Sequence, residues 1–253
     1  MPANKPGARR SPRRASSAST RPTSFYVVLG AIVLAGVAGL GYVALRPAAP
    51  ALVPQEVPAD LASAGEAQPY LLGSPDAPVT IEEFADYECP SCARFQTITF
   101  PDVRSRIIET GRANLRYYDL PLPQHRHSYP ASHAAACADE QGRFWEMKSS
   151  IYAAQDRWNT QATSNPRSLF RDMARALGLD MRQWEQCYDS RKYQARIDAN
   201  AAESMRRGVN STPTFIVGGQ PYRGSFSYDE FNRAVQAAAA RAGSGTGGGD
   251  TTR

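Results

Sequence analysis

The four cysteines are the residues of this chain best suited to do chemistry, and they fall into two arrangements. Cys89 and Cys92 form a C-x-x-C, Cys89-Pro90-Ser91-Cys92, whereas Cys137 and Cys187 stand 50 residues apart. The run Val79–Phe84 (VTIEEF) before the C-x-x-C is rich in β-formers and reads as a strand. Asp86–Pro90 reads as a turn, and Pro90 suits the first position of a helix because its missing N–H has no helical acceptor there. This spacing puts Cys89 at a helix N-terminus, facing unpaired backbone N–H groups and the positive end of the helix dipole. Such a setting lowers a thiol pKa from ~8.5 into the range of about 3.5–7.5. Cys89 is then the sulfur that enters a mixed disulfide, and Cys92, one turn further on, the sulfur that resolves it. A C-x-x-C can also be half of a zinc site, but zinc requires two further ligands. His125, His127 and His133 come with no second C-x-x-C, and no metal is expected. A purely structural disulfide stays open at this point.

The second pair reads differently. Cys137, Phe144 and Ile151 recur every seven residues, and Trp184, Cys187 and Tyr188 share a face at i, i+3, i+4. Two cysteines on two apolar helix faces predict an interhelical disulfide, which would contribute ~2–4 kcal/mol by closing so long a loop. Two buried free thiols are the alternative.

The chain has 253 residues and a formal net charge of +5. Residues 1–50 carry seven basic residues and no acidic one, which leaves 22 basic and 24 acidic residues in the remainder. The basicity belongs to a tail, and no nucleic-acid partner is expected. Beside that tail lies the uncharged run Phe25–Leu45, FYVVLGAIVLAGVAGLGYVAL. Its length matches the ~30 Å hydrocarbon core of a bilayer. It reads as an uncleaved transmembrane signal anchor, with a cleaved secretory signal and a buried core helix as competing readings. The positive-inside rule keeps the basic flank in the cytoplasm and places residues 46–253 on the other side of the membrane. The expected organisation is a basic tail (1–24), the anchor (25–45), a Pro/Ala-rich spacer (46–67), one folded domain (68–242) and a Gly-rich disordered tail (243–253).

Within the domain, Ala113–Leu120 reads as a second strand closed by the Pro-rich loop 121–130. A helical tract comes next, His133–Arg207, broken around Gln155–Pro166 and near Gly178. Thr214–Val217, Gly218–Gly219 and Gln220–Arg223 read as a β-hairpin, and Ser227 as the cap of a last helix bearing Phe231, Val235 and Ala238. Strand, helix, strand, helical insertion, hairpin and helix make an α/β domain. The three histidines read as surface or capping residues. No nucleophile-elbow, P-loop or dinucleotide fingerprint occurs, so no cofactor is expected and electrons would move by thiol exchange.

Three segments carry a resemblance: GSPDAPVTIEEFADYECPSC (Gly73–Cys92), AAACADEQGRFWEM (Ala134–Met147) and GVNSTPTFIVGG (Gly208–Gly219). In this order, and spanning about 68–240, they resemble the DsbA-like thioredoxin-fold proteins of the membrane-anchored bacterial branch. The resemblance implies a thioredoxin fold with a helical insertion at about 131–207, and a protein disulfide oxidoreductase acting on exported proteins. It implies a cis peptide at Thr212-Pro213, whose backbone would hold a substrate strand, with Pro90 and Ser91 forming the active-site loop. It also implies that Glu83 is a buried carboxylate exchanging a proton with Cys92. Strand alternation separates Ile81 and Glu83 from Glu82 and Phe84, and a solvated Glu83 is the plain alternative. The implied partner is a membrane quinone-linked oxidase, DsbB-type or vitamin-K-epoxide-reductase-type. A reductase or isomerase kept reduced by a membrane donor, and a tethered binding module, remain alternative readings. A net oxidant is expected, on the condition that Asp86 and Glu88 stay solvated and screened.

Overall fold

A computed structural model describes residues 23–44 and 52–245. The chain divides into two units, residues 1–48 and 49–253. In the first unit α1 (Thr23–Ala44) is a 22-residue helix without a charged side chain. Tyr26, Val27, Ile32 and Leu34 on it are exposed. Among the described residues, no helix is long and apolar enough to cross a membrane.

The second unit opens with the short helix α2 (Ala59–Ala62) and strand β1 (Tyr70–Leu72), followed by β2 (Thr80–Ala85). The active-site helix begins as α3 (Pro90–Arg94) and continues through the π-helical turn Phe95–Thr99, α4 (Phe100–Val103) and a second π-turn, Arg104–Ile108. Pro101 accounts for part of this irregularity, because it lacks an N–H and its ring crowds the carbonyl four residues back. Strand β3 (Asn114–Asp119) completes a β-helix-β crossover. The helical insertion comprises α5 (Ser128–Asp139), α6 (Phe144–Ala153), α7 (Gln155–Trp158), α8 (Arg167–Ala176), α9 (Met181–Asp189) and α10 (Gln194–Arg206). The hairpin β4 (Thr214–Val217) and β5 (Gln220–Arg223) and the helix α11 (Tyr228–Gly245) complete the unit.

The five strands lie in the order β1-β3-β2-β4-β5, with β2 and β3 parallel and the other neighbours antiparallel. This mixed sheet with its crossover helix is the thioredoxin fold carrying a helical insertion. Period-2 alternation sorts the strand residues. Ile81, Leu115, Phe215 and Val217 meet Phe95, Ile107, Phe231 and Val235 on one face, while Phe84, Tyr118 and Ile216 meet Val209 on the other. The insertion has its own apolar centre around Trp158, Phe170 and Trp184, continuous with Cys89, Cys92 and Tyr117.

Helix ends follow local chemistry. Gly178 (φ +72°) closes α8 in a Schellman motif, its N–H donating to Arg175 O and that of Leu179 to Ala174 O. Ser227 and Glu230 form a reciprocal capping box at the start of α11. This last helix reaches Gly245, past the expected boundary at 242; residues 246–253 of the expected tail lie outside the described residues, as does the basic tail 1–22. The 46–67 spacer is also corrected in its second half. Gln55 N–H donates to Met205 O (2.9 Å), and Leu52 packs against the Phe84 cluster. A Cβ on Gly208 (φ +70°) would fall 2.4 Å from the Val53 backbone. Residues 52–62 are therefore docked on the domain, against α10.

Candidate active site

Strand β2 delivers the chain into a tight turn in which Cys89 N–H donates to Asp86 O (3.1 Å). Cys89 occupies the N-cap of α3 in extended geometry (φ −72°, ψ 121°), and its carbonyl accepts the Ala93 N–H (3.1 Å). Cys89 is 7% exposed, and Cys92, inside the first turn, is fully buried; both are free thiols. The two sulfurs are held in opposite ways. The Cys92 thiol donates to Cys89, and against the cost of burial Thr212 and the N–H groups of Cys92 and Ser91 add to it, lowering the Cys89 pKa from 9.0 to about 6. Burial, together with the neighbouring Cys89, pushes Cys92 well up.

Beneath the pair lies Glu83, buried on the face that alternation shares with Ile81, while Glu82 on the other face pairs with Arg207 at 2.7 Å. Glu83 Oε2 accepts from Lys148 Nζ at 2.9 Å, and Lys148 also donates to Gln96 Oε1 at 2.8 Å. Lys148 is itself fully buried, with Tyr117 and Phe100 rings 4.5 and 4.8 Å from its ammonium. Burial lowers its pKa, opposed by the Glu83 charge. Lys148 is not among the residues expected at the site, although the sequence carries a signal for its burial. Phe144, Met147, Lys148, Ile151 and Tyr152 form one apolar stripe at i, i+3, i+4, i+7, i+8, and all five are buried.

The condition set on the net-oxidant expectation, that Asp86 and Glu88 stay solvated, is not met: they are 1% and 5% exposed. Asp86 accepts from Glu88 N–H and Leu122 N–H (both 2.7 Å), from Ser128 Oγ, and bonds His125 Nδ1 (2.9 Å). Glu88 accepts from His127 N–H (2.8 Å) and Thr160 N–H. Burial alone would raise the Glu88 pKa; the donors from Thr160 and His127 outweigh it and lower the value. Backbone donors thus replace the solvent screening that the sequence suggested. The histidines are corrected with them. His127 and His133 are buried, bonding Thr163 O (2.9 Å) and Gln194 Oε1 (3.1 Å), and neither side chain caps a helix. His125 is half-buried against Asp86, whose hydrogen bond raises its pKa. Gln155, absent from the sequence-based site, donates through Nε2 to Tyr87 O (2.7 Å) and Cys89 O (3.0 Å).

The peptide Thr212-Pro213 is cis and faces the pair, with Thr212 O 3.4 Å from Cys89 Sγ. Pro90 is exposed and Ser91 half-buried. Cys137 on α5 and Cys187 on α9 form a disulfide with a Cα–Cα distance of 5.8 Å. The structure therefore gathers Glu83, Cys89, Cys92, Thr212 and Pro213 in one place and sets Cys137 and Cys187 apart from it. One activated thiol near the surface above one buried, proton-retaining thiol is an arrangement for dithiol–disulfide exchange.

Comparison with known proteins gives the class. Residues 66–237 match a protein-family model described as Thioredoxin. The chain belongs to the thioredoxin family. It is similar to DsbA1 of Wolbachia pipientis, with a TM-score of 0.64 and 20% identity over 71% of this chain and 94% of that one. A thioredoxin-like oxidoreductase from Silicibacter pomeroyi superposes with a TM-score of 0.54 and 25% identity, covering 68% of this chain and 92% of its own. In sequence, 174 residues are 32% identical to the Na(+)/H(+) antiporter NhaA 3 of Salinispora tropica, covering 68% of this chain. That match takes in only 25% of the antiporter, so the chain spans about a quarter of the curated relatives it resembles.

Proposed function

We propose that this chain is a membrane-tethered, extracytoplasmic oxidoreductase that passes the Cys89–Cys92 disulfide to exported proteins. The observation that carries the reading is the asymmetry of the pair, Cys89 at the N-cap of α3 beside Thr212 O and Cys92 fully buried in the first turn. In the oxidised form, a substrate thiolate attacks Cys89 Sγ and the Cys89–Cys92 bond breaks. Its electron pair goes to Cys92, which takes a proton through the buried Glu83–Lys148 pair. A second substrate thiolate then attacks the substrate sulfur of the mixed disulfide, and Cys89 leaves as a thiolate. The substrate loses two electrons and two protons, and the protein becomes the dithiol. The cis turn at Thr212-Pro213 presents backbone to the substrate strand beside Cys89.

A membrane quinone-linked oxidase, DsbB-type or vitamin-K-epoxide-reductase-type, restores the disulfide. The uncharged run at α1 anchors the chain in the bacterial cytoplasmic membrane, with its basic flank inside and the catalytic domain outside, on the periplasmic or cell-wall side. Stabilising the Cys89 thiolate stabilises the reduced form, so the potential is expected nearer −120 mV than the about −270 mV of thioredoxin. Equilibration with glutathione buffers and trapping of free thiols measures it, and a value below about −230 mV would establish a reductase instead. Alkaline phosphatase fused after Arg253 should be active in cells, and an inactive fusion would refute export.

A further inference from the structure

A cavity of about 550 Å³ opens where the first turns of α5 and α10 meet the end of α9, lined among others by Arg126, Tyr129, His133, Tyr188, Arg191 and Gln194. Its volume lies in the range of small-ligand sites. The charge around it is unbalanced. Arg126 and Arg191 are exposed, and neither guanidinium has a hydrogen-bond or ion-pair partner among the described residues. Asp189 at the rim is already taken by Arg167 through bonds of 2.9 and 2.7 Å. Asp198 behind it accepts from Tyr129 Oη and Gln194 Nε2, each at 2.9 Å. His133 on the floor bonds Gln194 through Nε2, and its Nδ1 has no protein partner. Arg191 also adopts φ +52°, a left-handed conformation unusual for a residue with a Cβ.

The cavity is tied to the redox turn. His127 N–H donates to Glu88 Oε2 at 2.8 Å, and Glu88 precedes Cys89. Summing covalent spans and that bond puts the Arg126 backbone within about 14 Å of the Cys89 backbone, on the order of four residues of extended chain. A polypeptide engaged at Cys89 therefore reaches the cavity with residues close to its own cysteine.

We propose that this cavity is a subsite for the acidic flank of polypeptide substrates, in which Arg126 and Arg191 receive a carboxylate carried on the order of four residues from the cysteine bound at Cys89. This inference rests on the thiol-exchange reading and names a substrate class for it. Guanidinium forks match carboxylates, and the tyrosines give the adjoining chain an apolar wall.

The test uses the full chain and two dithiol peptides that differ only in an Asp-Glu pair or an Asn-Gln pair at that spacing. The acidic-to-neutral ratio of oxidation rates should be roughly tenfold, as expected for two partly exposed charge pairs. It should fall to about one in R126Q/R191G, where glycine also relieves the positive φ, and below one in R126E/R191E. A ratio near one in the wild-type protein, or one that both variants leave unchanged, overturns the subsite while neutral-peptide turnover upholds the thiol-exchange reading. Failure to oxidise either peptide refutes that reading. The subsite is then judged by calorimetry with a cysteine-free acidic peptide, which must bind the wild-type protein and not R126E/R191E. Inorganic phosphate or succinate binding as tightly as this peptide would show a free-anion site and also overturn the proposal.

Discussion

Cys89–Cys92 and Cys137–Cys187 are made of the same atoms and differ in everything that surrounds them. The first pair starts a helix, with backbone N–H groups at one sulfur and a buried ion pair beneath the other. The second joins the interiors of α5 and α9, where the backbone N–H groups are spent on helical bonds and apolar side chains close the space. Reactivity in this domain is a property of where the chain places sulfur relative to unpaired N–H groups and fixed charge.

The largest effect that tests this contrast is loss of exchange. Cys89→Ser should reduce disulfide transfer to a model dithiol peptide to the uncatalysed rate, whereas C137A/C187A should retain turnover; equal losses would erase the distinction. In the reduced wild-type protein, alkylation of Cys89 should reach half its maximal rate near pH 6, with Cys92 silent until far higher pH, and label found first on Cys92 would reverse the assignment. Folding lowers the Cys89 pKa, which fixes the sign of its effect on stability. The reduced fold gains stability relative to the oxidised one as pH rises from about 6 toward the unfolded value of ~8.5, and loses it again as pH falls through about 6.

Next is the charge under the redox pair. Lys148→Met leaves Glu83 buried without its cation and should cost about 3–5 kcal/mol in denaturant melts. E83Q/K148M should recover much of that, and a neutral single mutant would show that the pair is not coupled. Removing the structural disulfide in C137A/C187A should cost about 2–4 kcal/mol, and mild dithiothreitol should leave it intact in the wild-type protein, so that mass spectrometry finds two free thiols. Smallest is Gln155→Ala, which strips the Tyr87 and Cys89 carbonyls of a donor. A loss of about 1–2 kcal/mol is expected, and an unchanged melting midpoint would make the clamp dispensable.

Much of the fold was legible because its signals are local. β2 and β3 lie within one residue of their expected bounds, the hairpin falls on Gly218–Gly219, and Ser227 caps α11. β1, at three residues, is too short to show a period. The site was legible where residue type carries the chemistry, as in the two C-x-x-C sulfurs. It was illegible where the partner is a backbone N–H from far along the chain. Nothing in Leu122, His127 or Thr160 marks them as donors to Asp86 and Glu88, so two carboxylates that look solvated in sequence are buried in the fold. Lys148 lies between these cases: its place on an apolar stripe was readable, its partner Glu83 was not.

The hydrogen bonds from Gln155, Thr160, His127 and Leu122 into the redox turn bear on how this domain can be taken apart. A minimal scaffold made by excising residues 128–206 and rejoining the sheet would keep every strand and both reactive sulfurs. It would also expose Tyr117, take Lys148 from Glu83, leave Glu88 with only the His127 N–H of its two donors, and remove Gln155 from the Tyr87 and Cys89 carbonyls. The insertion and the turn are thus one heritable module, and an engineer who wishes to move this chemistry onto another framework has to move both.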